Sequence, residues 1–146
     1  MFKDNSQACK NAIKMAEIKW LKAAALAIQS QAKALVPVNT SNLKTSINHK
    51  VQVSSLEAYV GTNCDYAIYV EFGTGEFAEN GNGRKGGWVY TDPSRKTHFT
   101  MGMKPKPYLR PAFRKVKPEI KQLLNKYLAE LGNSDKVTWN RIQYKK

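Results

Sequence analysis

Upstream of Pro37 the apolar residues recur every three or four positions, and from Leu43 onward they recur every two. A chain with that change of period must pass from a helix to a strand across one short turn. Residues 6–36 therefore read as one long helix. Ile13, Ala16, Trp20, Ala23, Ala24, Ala27, Ile28, Ala34 and Leu35 fall on a broad apolar face, with Lys14, Lys22, Gln29 and Lys33 opposite. Met15, Ile18 and Leu26 break the pattern, since they fall among the polar positions. Pro37 lacks an N–H and biases Val36 out of helical geometry, so the helix stops there.

After the turn "PVNTSN" a strand is expected over 43–53, with Leu43, Thr45, Ile47, His49, Val51 and Val53 on its inner side. "LEAYVGT" at 56–62 returns as its antiparallel partner. "DYAIYVEFG" at 65–73 fits a strand, since Tyr66, Ile68 and Val70 alternate, or a short helix ended by Gly73, the reading preferred here. "GWVYTD" and "KTHFTM" flank "DPSR", whose composition suits a type I turn and hence a second hairpin. A second helix is expected from about Tyr108, with Pro111 in its first turn, a kink or restart at Pro118 and a stop at Gly132. "NSDKVTWNRIQYKK" beyond it is too apolar for a solvated tail and is expected to add a strand or to dock on a neighbour. The fold class is α+β: a long N-terminal helix and a C-terminal helix packed on a small antiparallel β-sheet, with an inserted projecting β-hairpin. One domain over 1–146 suits the length.

Charge limits the partners. The chain carries 24 Lys and Arg against 11 Asp and Glu, a net +13, which favours polyanions or acidic protein surfaces. No apolar run reaches the roughly 18–20 residues that span a bilayer, and no leader peptide is legible at the N-terminus. Cys9 and Cys64 lack C-x-x-C spacing and read as reduced thiols.

Catalytic patterns are hard to find. "GNGRKGGW" lacks the Ser or Thr that follows Lys in a phosphate-binding loop, and it leads into a strand former. His49 and His98 have no ligand partners at metal spacing, and His49 is expected to pack on the inner strand face. Glu71, Glu76 and Glu79 can be nominated as paired carboxylates, but they fall in a loop setting. An enzyme is not expected, and no cofactor is implied. Lys104, Lys106, Arg110, Arg114, Lys115, Lys117 and Lys121 crowd the start of the second helix, with Tyr108 and Phe113 interleaved. Such a segment attracts nucleic acid through its backbone phosphates.

Three blocks then matter together: "VPVNTSNL" around Pro37–Leu43, "YAIYVEFGT" at 66–74 and "KPYLRPA" at 106–112. In this order and spacing they resemble the HK97 gp10-like family of tailed bacteriophages, head–tail joining or tail-completion proteins of the neck. The resemblance covers roughly residues 8–131. Ser41 stands where glycine is usual, and compact members pass almost directly from the second block to the third. Here a loop and hairpin at 75–104 are inserted, and 133–146 extend the end.

The resemblance implies a structural virion protein, made in the host bacterial cytoplasm, that forms a homo-oligomeric ring at the neck and joins the DNA-filled head to the tail. Its neighbours would be itself and other neck proteins, on the portal or adaptor side and on the tail-tube or terminator side. No membrane partner is implied. The alternative is a basic cytoplasmic nucleic-acid-binding protein. Candidate subunit contacts are Met15, Ile18 and Leu26 on the helix, with Tyr66, Tyr69, Glu71, Phe72, Gly73, Pro107, Tyr108, Leu109, Arg110 and Pro111 from the two later blocks. Arg84, Lys85, Arg95, Lys96, Lys104, Lys106, Arg114 and Lys115 are candidates for non-specific contact with packaged DNA or an acidic partner.

Overall fold

A computed structural model describes the backbone of residues 4–37 and 41–143, and their side chains as far as Gly132. Helix α1 spans Ser6–Leu35, helix α2 Ser41–Ser46, strand β1 Asn48–Gln52 and strand β2 Glu57–Gly61. Helix α3 spans Ala67–Phe72, and a 3-10 turn follows at Gly75–Phe77. Strands β3 (Trp88–Thr91) and β4 (Thr97–Thr100) precede helix α4, Leu109–Gln143. The α+β class holds: two long terminal helices and, between them in sequence, short β-hairpins present as two separate two-stranded sheets, β1–β2 and β3–β4.

The chain divides into two compact units. One comprises Met1–Ile28, His49–Val60 and Lys115–Lys146. Its buried apolar residues are Ala16, Ala24 and Ala25 of α1 and Val116 of α4. The Trp20 indole donates to the Ile120 carbonyl at 2.9 Å, tying α1 to α4 while satisfying the one polar atom of a half-buried ring. Ile13 is 47% exposed, so the apolar face of α1 is narrower than its sequence suggests.

The second unit comprises Gln29–Asn48 and Gly61–Arg114. Ala32, Val36, Leu43, Ile47, Ala67, Val70, Tyr108 and Ala112 are buried in it, Leu43 and Ile47 completely. The strand expected from Leu43 begins only at Asn48, because Ser41–Ser46 is helical. Thr45 and Ser46 return their hydroxyls to the carbonyls of Ser41, Asn42 and Leu43, as helical Ser and Thr do. Leu43 and Ile47 are four apart, a spacing that fits one helix turn as well as a strand face, and this made the two periods indistinguishable. His49, expected to pack inward, is exposed on β1.

The second hairpin matches its expected turn. Arg95 N–H donates to the Asp92 carbonyl at 2.9 Å, and Asp92 N–H to the Lys96 carbonyl at 2.9 Å. Arg95 adopts φ +62°, so a tight turn closes with a left-handed residue, a familiar three-residue hairpin connection. Strand pairing is antiparallel, with Trp88 opposite Thr100 and Val89 opposite Phe99.

The last helix neither restarts at Pro118 nor stops at Gly132. Helix α4 runs on through Pro118 and Gly132 to Gln143, so the segment after Gly132, expected as a strand or docking tail, is helical to that point. Proline removes one hydrogen bond, that to the Arg114 carbonyl, and the long Lys-, Leu- and Glu-rich run on either side sustains the helix. Open space surrounds the Cβ position of Gly132. Gly132→Ala is therefore expected to stabilise the protein by about 1 kcal/mol, measured as a higher urea midpoint. A lower midpoint would show that this glycine is not ordinary helix.

Candidate interaction site

Helix α4 starts without a Ser, Thr, Asp or Asn beside its first turn; Pro107 and Tyr108 precede it instead. Its first amides therefore need an acceptor from elsewhere. Glu71 of α3 supplies it. Glu71 Oε2 accepts from the amides of Tyr108 at 2.8 Å and Leu109 at 3.0 Å, and Oε1 accepts from the Arg110 amide at 3.2 Å. The Arg110 Nε donates to the same Oε1 at 2.9 Å. Its two terminal nitrogens reach Glu79, at 2.9 and 2.6 Å, and its plane lies over the Phe72 ring at 4.6 Å. A carboxylate that is only 5% exposed thus carries four donors, and one guanidinium joins it to a second carboxylate.

Burial alone would raise the Glu71 pKa, but the Leu109, Tyr108 and Arg110 amides and the Arg110 side chain outweigh it and hold it below the ordinary value. Arg110 holds the Glu79 carboxyl down by direct hydrogen bonding. Arg110 itself is pushed upward, chiefly by Glu79 and then by Glu71.

Next to this clasp two backbone segments cross closely. Thr74 N–H donates to the Met103 carbonyl and Glu76 N–H to the Met101 carbonyl, both at 2.9 Å, while the Met103 amide donates to Thr74 Oγ1. Lys106 N–H donates to the Val70 carbonyl at 2.8 Å. The segment 75–102 consequently leaves and returns at one place.

Three of the residues expected to meet a neighbour are internal. Glu71, Gly73 and Tyr108 are buried, because the carboxylate, the helix end and the first turn of α4 are parts of this clasp. Leu109, Arg110 and Pro111 are half-buried beside them and Pro107 is exposed. Tyr66, Tyr69 and Phe72 are exposed, as is Ile68, which sequence reasoning passed over. Ile68, Tyr69 and Phe72 line a groove of about 490 Å³ together with Ala78, Asn80 and Asn82.

On α1, Met15 and Leu26 are exposed and lie about 20° apart around the helix. Ile18 is half-buried and about 60° away from Met15, so it is not an equal member of their patch. Leu26 borders a hollow with His49, Val51 and Tyr127, and Met15 borders another that also reaches Tyr127. The cations Arg84, Lys85, Arg95, Lys96, Lys104, Lys106, Arg114 and Lys115 are all exposed. Arg84 lies over the Trp88 ring and Lys104 over Phe77. Cys9 and Cys64 are free thiols. No helix among the described residues is long and apolar enough to cross a membrane.

The fold and the clasp define a small α+β structural module organised around one buried carboxylate. Residues 2–73 match the family described as "Bacteriophage HK97-gp10, putative tail-component", so the N-terminal half of the chain is similar to the HK97-gp10-like family. This is a family of bacteriophage tail-related structural proteins. The match takes in the first sequence block and all but the last residue of the second, ending at Gly73. No curated protein and no solved structure gives a significant match.

Proposed function

We propose that the protein is a neck component of a tailed-phage virion, the whole chain acting as one subunit of a homo-oligomeric ring that joins the DNA-filled head to the tail. The observation that carries this reading is the clasp. Glu71 and Arg110 hold α3 rigidly against the start of α4, while Ile68, Tyr69 and Phe72 on the same six-residue helix remain exposed. Apolar side chains that are exposed yet held in fixed positions suit a subunit contact, since little further ordering is needed on association. Met15 and Leu26 offer a second such surface on α1.

A ring subunit also meets assemblies above and below it, and the net +13 charge favours acidic partner rings or the packaged DNA. The exposed cations from Arg84 to Lys115 would serve there without reading sequence.

The test is assembly. Met15→Asp combined with Leu26→Asp is expected to leave the circular dichroism spectrum unchanged and to abolish incorporation into particles, scored by immunogold labelling of the neck. Label along the tail tube or within the head, or normal particles built from the double variant, would overturn the corresponding part of the reading.

A further inference from the structure

We infer that the β3–β4 hairpin of one copy seats in the Ile68–Phe72 groove of the next copy, forming the head-to-tail contact of the assembly; the inference rests on the ring reading above. Two halves of this contact are visible on one unit, and each is incomplete. On one face of the hairpin Tyr90 and His98 stack at 5.3 Å between centroids, and Arg84 lies over Trp88. That face is partly covered by its own side chains. On the other face Val89 and Phe99 are directly paired across the strands and are 61% and 64% exposed. A cross-strand apolar pair so open to water offers a surface that a partner can cover.

The complementary half is the groove beside α3, where Ile68 is 59% and Tyr69 55% exposed. Its volume accommodates one aromatic and one aliphatic side chain.

Charge identifies the occupant. The chain is strongly basic, yet residues 51–83 contain no Lys or Arg. Asp65, Glu76 and Glu79 are exposed on the segments that flank the groove lining, Glu71 is buried among them, and Arg110 pairs with Glu71 and Glu79. That leaves an acidic region on a cationic molecule. The hairpin tip is the reverse: Arg95 and Lys96 are exposed there, and its one carboxylate, Asp92, is engaged by the Lys96 amide and His98. The basic tip and the acidic surroundings of the groove attract each other between copies, and every copy carries one of each. Two different surfaces that fit each other give a heterologous contact, which closes into a ring when the rotation permits.

Sedimentation velocity on the full-length chain tests this. Val89→Asp with Phe99→Asp removes the hairpin half, and Ile68→Asp with Tyr69→Asp removes the groove half. Each double variant is expected to weaken self-association at least roughly 30-fold, with unchanged circular dichroism. Mixing the two is expected to restore a one-to-one complex, because each retains one intact half, and added salt should weaken it. Wild-type assembly with double variants that also assemble would overturn this contact and leave the ring reading standing. Failure of the mixture to pair would show that the surfaces meet something other than each other. A wild-type chain that stays monomeric at every concentration would overturn the ring reading, and this contact with it.

Discussion

Glu71→Ala is expected to destabilise the protein by about 3 kcal/mol, measured by urea denaturation at neutral pH. The substitution leaves three amides at the head of α4 without their acceptor. Arg110 keeps Glu79, so its charge is not stranded, and for that reason the expected loss sits at the low end for a broken buried pair. Loss of the cap also frees α3, so Ile68, Tyr69 and Phe72 should lose their fixed arrangement and assembly should fail with it. An alanine variant as stable as wild type would show that the clasp holds nothing together.

Acid provides the same test without a mutation. The Glu71 pKa is lower in the folded chain than its ordinary value of 4.5. The unfolded chain therefore takes up a proton first as pH falls. The carboxylate's contribution is complete above pH 4.5 and is lost as pH drops through its lower folded value. Glu71→Gln should be destabilised at neutral pH, and the gap between it and wild type should close on acidification. A gap that stays constant into acid would assign the stability to shape rather than to charge.

Gly75→Ala is expected to cost about 2–4 kcal/mol, through two effects that add. Gly75 has φ +61°, a left-handed conformation that side chains disfavour. A Cβ there would also run into the Met101 carbonyl and the Cα of Gly102, at 2.2 and 2.9 Å. Gly102 faces it with φ +113°, and its own added Cβ would meet the Thr74 carbonyl at 2.1 Å. The two glycines let two backbones cross at the foot of the segment 75–102, where the Glu76 amide reaches Met101. Backbone atoms cannot rotate aside as a side chain can, so the strain has no cheap outlet. A thermal midpoint within a degree or two of wild type would mean that this crossing is looser than the hydrogen bonds indicate.

Much of the local structure was legible because it depends on neighbours in sequence. The long periodic run before Pro37 is α1 to within a residue, and Asp-Pro-Ser-Arg is the turn of the second hairpin. Gly73, which adopts φ +76°, ends the short helix where expected. The misreadings came where two local rules gave the same pattern. Leu43 and Ile47 fit a helix and a strand equally, and Pro118 and Gly132 carry penalties that a long helix can absorb.

The candidate site was only half legible. Its motifs could be quoted and Glu71 and Arg110 named as candidate contact residues, yet nothing in the sequence showed that they bond each other across 39 positions. One signal was available: α4 has no capping residue of its own, and "YVEF" places a single carboxylate in an apolar helix. Nothing local pairs those two facts.

Spacing along the sequence was enough for the extent of α1, the end of α3 and the turn of the second hairpin, for the family likeness of residues 2–73, and for a cationic chain interrupted by an acidic stretch at 51–83. These follow from residue spacing, backbone conformation and composition, which act within a few positions of each residue. Only the tertiary structure decided that the carboxylate of the second block caps the helix of the third. It also decided which apolar residues are buried and which remain open, with Val89, Phe99, Ile68 and Tyr69 among the open ones. Burial and capping depend on atoms that are distant along the chain and adjacent in space, and residue type does not record that distance.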